Sequence, residues 1–319
     1  MGILGSHFLK YALILPSNQN PLGALPARFR RERVLIIGCG DVGLRVAVRM
    51  PGQIRKLALT SSPGRIEELR AKGVTPLPGN LDDFQSLRRL AGIATRVIHL
   101  APPPSAGWAD SRTLALVRAL RLRTKPVSVV YGSTSGVYGD CGGQHVNECR
   151  SVHADTPRAR RRVDAEGRVR FWGRAAQLRV SILRIPGIYA PDRDGGTPRA
   201  RLMKGVPVLR AQDDVYTNHI HADDLARACC RTLWKGGPQR VYNVNDDSAM
   251  KMGDYFDLAA DLYGLPRPPR IAREGAADQL PLMLLSFMNE SRRMDNTRMK
   301  QELGLRLLYP TVATGLQSR

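Results

Sequence analysis

The sequence predicts an α/β protein built on a Rossmann-type, doubly wound parallel sheet, with a smaller mixed lobe behind it. Three observations carry this expectation. Short β-branched apolar runs alternate with amphipathic stretches, a glycine triplet follows the first run at once, and the alternation loosens after Pro186. Arg33 to Gly38 (RVLIIG) reads as a strand, the glycines as a tight turn, and Val42 to Met50 as a helix. Further strands are expected at 56–59, 96–100, 127–131 and 180–185, with helices at 66–72, 84–91 and 112–122 between them. Strands joined by helical crossovers pair in parallel. Beyond Pro186 come Pro- and Gly-rich loops, a helix at 222–234, a strand at 240–244, and helices around 255–263 and 296–303.

With 319 residues, 43% of them hydrophobic and 24% charged, the chain can bury a large core. That excludes disordered, collagenous and small disulfide-scaffold classes. Forty-nine Lys and Arg against twenty-eight Asp and Glu give a formal charge of +21, which favours phosphates, acidic substrates or anionic surfaces as partners. Forty-one of these cations are Arg, scattered through the chain. The basic runs Arg28 to Arg33, Arg158 to Arg162 and Arg292 to Arg298 carry few interleaved aromatics for base stacking, so they read as solvated faces and a nucleic-acid partner is not expected.

Five cysteines (Cys39, Cys141, Cys149, Cys229, Cys230) form no CxxC pair and have no His at zinc spacing, so no metal is expected and a reducing, cytoplasmic setting fits. No stretch has the apolar length of a membrane span: Phe8 to Leu15 is broken by Lys10 and stopped by Pro16. The opening MGILGS matches a myristoylation pattern and also reads as a poor signal peptide; the plainer reading is a flexible extension over residues 1–32, or a start assigned too early.

Gly38, Gly40 and Gly43 form GxGxxG between a predicted strand and helix. In that context the pattern points to a dinucleotide: Gly38 for the turn, Gly40 for close approach of the pyrophosphate to the helix N-terminus, Gly43 for helix–strand packing. Cys39, Asp41 and Val42 complete the loop. An NAD-preferring site usually ends its second strand with an acid that binds the ribose hydroxyls. Here the chain has Thr60, Ser61 and Ser62, with Arg65 close by, which favours NADP slightly over NAD. The expected organisation is thus an extension (1–32), an NAD(P)-binding domain (33–185) and a smaller substrate lobe (186–319) whose segment near 217–245 returns to the first domain.

Further motifs follow in order: Gly79-Asn80-Leu81, His99-Leu100-Ala101, SerThrSerGlyValTyrGly from Ser133, LeuArgIleProGlyIleTyrAlaPro from Leu183, IleHisAlaAspAspLeuAla from Ile220, and AspAsnThrArgMetLys from Asp295. From Val34 to Leu316 the chain thereby resembles the extended, atypical short-chain dehydrogenases, the nucleotide-sugar epimerase and dehydratase group. The resemblance implies that Asn80, Leu81, Leu100, Ala101, Pro102, Pro186, Gly187 and Ile188 border the cofactor, and that Thr134 hydrogen-bonds the reacting oxygen. It also implies a Tyr and a Lys two dozen residues later. Anchored on Glu166, those slots hold Arg158 and Arg162. Arginine stays protonated at any working pH, so Arg158 cannot act as a general acid; Arg162 can still hold the nicotinamide ribose. Tyr138 is the nearest phenol to Thr134, and Tyr189 a more distant one.

A second departure concerns substrate. The arginine that grips the nucleotide phosphate in the sugar-nucleotide epimerases is replaced by Thr217, followed by Asn218, while Arg193, Arg199 and Arg201 offer a clamp from another side. His219 and His221 read as structural, His221 as a partner for neighbouring backbone, and Asp223 and Asp224 as a capped helix start. The expected function is hydride transfer on a small polar, phosphorylated or sugar-like hydroxyl substrate, with a homodimer as the assembly. The alternative is an inactive dinucleotide-binding sensor that works through a protein partner.

Overall fold

The computed structural model describes residues 31–280, 284–285 and 288–318; the lipidation and leader readings, and Arg28 to Arg30, lie outside them. Seven parallel strands form the central sheet: β1 (Arg33–Ile37), β2 (Arg55–Thr60), β3 (Thr75–Pro78), β4 (Arg96–His99), β5 (Ser128–Thr134), β6 (Arg179–Ile185) and β7 (Arg240–Asn243). Their spatial order is β7-β6-β5-β4-β1-β2-β3. The order reverses between β1 and β4, the switch point where ligands settle beyond the carboxyl ends of strands. Register pairs Leu35 with Leu57 and Val97, and Thr134 with Ile185.

β3 is absent from the sequence expectation because Pro76 and Pro78 spoil its pattern. As the outermost strand it has one free edge, which is where proline is tolerated.

Alternation along β1 builds both layers. Val34 and Ile36 pack with α1 (Asp41–Arg49) and the helix Ala222–Lys235; Leu35 and Ile37 face the helices Ser111–Leu120 and Pro157–Ala175. A third core joins Tyr189, Leu202, Val208 and Leu209 to the helix Met252–Tyr263 and to Val312 and Leu316. That helix and Thr297–Leu303 both stop at a left-handed glycine, Gly264 and Gly304. No helix among the described residues is long and apolar enough to cross a membrane.

The arginine runs are not wholly the solvated faces expected of them. Arg161 and Arg162 are buried, Arg158 and Arg160 exposed. Arg292, Arg293 and Arg298 spend donors on the carbonyls of Gly139, Gly143 and Val241.

Candidate functional site

Parallel pairing carries the predicted cofactor residues to one edge: the glycine loop after β1, Ser61 and Arg65 after β2, Asn80 and Leu81 after β3, Leu100 to Pro102 after β4, Thr134 at the end of β5, and Pro186 to Ile188 after β6. The three glycines differ in the space around them. Gly38 has φ +85°, and a Cβ there would lie 2.6 Å from Ala101 Cα. A Cβ on Gly43 would lie 2.8 Å from the Gly38 carbonyl. At Gly40, the N-cap of α1, it would meet nothing within 4 Å. Two glycines are therefore demanded by the fold, while the third leaves open space at a helix N-terminus, the shape a pyrophosphate needs.

Around this loop the side chains are partly committed. Asp41 binds Arg45 at 3.0 Å and Arg193 at 3.4 Å. Buried Cys39 has its thiol pushed up to about 11 by burial, and its carbonyl accepts from Arg65 Nη1 at 2.7 Å. Arg65 Nε also binds Glu68 at 3.0 Å. Ser61 and Asn80 are exposed, Asn80 Oδ1 accepting from the Asp82 amide, while Leu81 is half-buried. Val42, Leu100 and Ile188 pack on the first core.

Thr134 caps the short turn Ser135–Tyr138, its Oγ1 accepting from the Gly136 amide at 3.3 Å. Behind it, buried Ser133 donates to Glu166 Oε1 at 2.6 Å. Tyr138 is buried under the Arg184 guanidinium at 4.6 Å and donates to Asn243 Oδ1 at 2.7 Å; burial raises its pKa. This is a bracing position. Tyr189 also lies in core, near Asp246.

On the helix Pro157–Ala175, Arg162 is buried, and its Nη1 donates to the carbonyls of Gly132 (2.8 Å) and Ala101 (3.4 Å) and to the Tyr131 hydroxyl (3.1 Å). It thus ties the end of β4 to β5. Its Nε is buried with no partner among the described residues. Arg158, one turn earlier and exposed, bonds to no described side chain or carbonyl; burial of part of its side chain and the nearby Arg162 and Arg161 charges lower its pKa.

Elsewhere the structure sorts the remaining candidates. Arg193 donates to the Ile188 carbonyl, and Arg199 and Arg201 stack over Tyr263 and Phe256. Asn218 bridges the Arg292 carbonyl and the Met294 amide. His221 Nδ1 accepts from the Asp223 amide, so the histidine caps its helix. The capping role expected of Asp223 and Asp224 is corrected. Asp224, fully buried, accepts from the amides of Leu308 and Tyr309, and Asp223 pairs with Arg45 and Arg49. The segment around 308 reaches that helix only in three dimensions. No cluster of metal-binding side chains occurs among the described residues.

Sequence reasoning also missed Glu290. Its Oε2 lies 3.8 Å from where a Cβ on Gly136 would stand, and nothing local in its surroundings marks it.

The profile of the NAD dependent epimerase/dehydratase family matches residues 34–245. Uncharacterized proteins of Mycobacterium bovis and Mycobacterium tuberculosis are 26% identical over 244 residues, 69% of this chain but only 64% of their own length. Among solved structures, a conserved protein of unknown function from Silicibacter pomeroyi is 29% identical, with TM-score 0.75 over 90% of this chain and 97% of its own. The Thermotoga maritima UDP-glucose 4-epimerase, solved with UDP-glucose, has TM-score 0.71 at 19% identity over 89% and 96% of the two chains. The Bacillus anthracis dTDP-glucose 4,6-dehydratase, solved with NAD, has TM-score 0.73 at 15% identity over 90% and 94%. The last two establish a shared fold. With its glycine loop, its strand order and a match over most of its length, the chain belongs to the NAD-dependent epimerase/dehydratase family.

Proposed function

We propose that the protein is an NAD(P)-dependent oxidoreductase that acts on a small polar or sugar-like hydroxyl compound by hydride transfer. The observation that carries this reading is the open space at Gly40 between two glycines the fold itself demands. When bound, the dinucleotide supplies the hydride acceptor or donor.

The chain's own residues do the rest. The first-turn amides of α1 at Asp41, Val42 and Gly43 receive the pyrophosphate. Asn80, Leu81 and Leu100 to Pro102 line the adenosine side, and Pro186 to Ile188 the nicotinamide side. Arg162 serves the nicotinamide ribose and Thr134 Oγ1 orients the reacting oxygen. Ser61 and Arg65, with no carboxylate at the end of β2, favour the 2′-phosphate of NADP. Thr217 speaks against a nucleoside-diphosphate sugar, because it offers no charge to a diphosphate. The assembly we propose is a homodimer, and the setting cytoplasmic.

Titration calorimetry with NADPH and NADH tests the reading. Binding by the wild type and none by Gly40→Val is expected; unchanged affinity in the variant overturns it. Arg158 favours a second reading, a dinucleotide-binding sensor without turnover, since a guanidinium cannot shuttle a proton. That reading requires dinucleotide binding with no reducible or oxidisable substrate consumed.

A further inference from the structure

We propose that Glu290 is the proton-transfer group of this site, exchanging a proton with the substrate oxygen that Thr134 orients. The inference deepens the oxidoreductase reading and rests on it. Gly136 stands between the two residues. A Cβ on it would lie 3.7 Å from Thr134 Oγ1 and 3.8 Å from Glu290 Oε2. One substrate oxygen beside the bare glycine therefore comes within reach of both the hydroxyl and the carboxylate.

The carboxylate is held there by a braced segment. The Ser291 amide donates to Asp140 Oδ1 at 2.8 Å, and the Ser291 carbonyl accepts from the amides of Cys141 and Gly143 at 3.1 and 3.0 Å. Ser291 Oγ accepts from the Tyr216 amide at 3.0 Å. Buried Arg292 donates to the Gly139 carbonyl at 2.6 Å and sets both terminal nitrogens 2.8 Å from Glu290 Oε2. Among the described residues, the charged and titratable groups facing the Glu290 segment include Arg292 on that segment, Arg273, which bonds Asn289 and the Met288 carbonyl, and Asp140 and Cys141 on the facing loop.

The chemistry balances without another group. In oxidation the substrate O–H bond breaks towards Glu290, the carbinol C–H bond gives its electron pair and hydrogen to the oxidised nicotinamide dinucleotide, and a C=O bond forms. Glu290, now protonated, releases its proton to water. Reduction is the reverse and needs the protonated acid. A carboxylate can play both parts; the guanidinium of Arg158 can play neither.

The test follows NADPH oxidation with 9,10-phenanthrenequinone, an activated dicarbonyl, in the wild type, Glu290→Gln, Glu290→Asp and Gly136→Ala. Glu290→Gln should lower kcat about 100-fold or more with NADPH affinity by calorimetry unchanged, and Glu290→Asp should recover at least a tenth of the rate. The wild-type rate should rise towards low pH, and that rise should vanish in Glu290→Gln. Gly136→Ala leaves the Glu290–Arg292 pair whole and meets only ordinary contacts, so it keeps the protein folded. Its methyl occupies the shared point and should raise KM for the quinone about tenfold, in keeping with about 1.4 kcal/mol of lost contact. A Glu290→Gln rate within threefold of wild type, or a wild type that binds NADPH but reduces no quinone at any pH, overturns the assignment alone. A wild type that binds neither dinucleotide overturns the oxidoreductase reading and this one with it.

Discussion

Arg184 and Glu166 form an ion pair at 2.9 Å with only 4% and 5% of their side chains exposed, immediately behind the strand end that carries Thr134. Ser133 donates to the same carboxylate, and the Arg184 guanidinium covers the ring of Tyr138. Charge, hydroxyl and ring are thereby locked into one arrangement under the site. Removing one partner strands the other as an uncompensated buried charge. Glu166→Gln should lose about 3 to 5 kcal/mol in urea unfolding, whereas Glu166→Met with Arg184→Met should lose far less than the two single changes combined. Additive losses would refute the coupling.

The glycine triplet should separate folding from binding. Gly40→Val adds atoms to open space, so its thermal unfolding should match the wild type while dinucleotide affinity disappears. Gly38→Ala forces a side chain into a left-handed backbone against Ala101, and should lower stability by about 1 to 3 kcal/mol. Calorimetric binding and differential scanning of the two variants check both expectations. Equal losses of stability would show that Gly40 is structural too.

Arg65 latches the turn after β2 onto the glycine loop through the Cys39 carbonyl. A 2′-phosphate bound there gains a charge-assisted hydrogen bond worth about 1.5 to 3 kcal/mol. Arg65→Ala should therefore weaken NADPH binding at least tenfold and leave NADH nearly unchanged. The ratio of the two dissociation constants measures it, and a ratio that does not move sinks the NADP preference.

Stability should peak near pH 6.5. Burial holds His219 down to about 4 and His99 down to about 3, while it pushes Asp246 up to about 8. Below pH 6.5 the unfolded histidines take up protons that the native ones refuse, so stability falls with falling pH, outweighing the single proton that native Asp246 retains. Above 6.5 the unfolded histidines lose those protons, while native Asp246 keeps one that the unfolded state has lost, so stability falls again as pH rises towards 8. Asp246→Asn should flatten that alkaline limb in denaturation curves recorded from pH 5 to 8. A limb that stays as steep assigns it to another group.

Arg162→Met should cost about 2 to 4 kcal/mol, because it leaves the buried Gly132 and Ala101 carbonyls short of a donor that joins β4 to β5. Arg158→Ala should change stability by less than about 0.5 kcal/mol, since its side chain bonds to none of the described residues. Paired urea titrations compare the two.

The alternation of apolar runs and amphipathic stretches was enough to specify a parallel sheet, because a strand buried on both faces must be continuously apolar and its crossover helix must show one apolar stripe. The glycine triplet was legible for a related reason: Gly38 answers to its own left-handed φ and Gly43 to the Gly38 carbonyl five residues before it. β3 escaped that logic, since Pro76 and Pro78 are tolerated only on an edge strand and the edge is assigned by the whole sheet. Asp223 and Asp224 look alike in a helix start, yet one binds Arg45 and Arg49 and the other the amides of Leu308 and Tyr309. Thr134 could be singled out from its motif; Glu290 could not, standing 156 residues further on and brought to Gly136 by hydrogen bonds from the 139–143 loop. Periodicity reports what each residue must face locally, whereas a partner across the fold is chosen by packing and hydrogen bonding between segments that share no sequence signal.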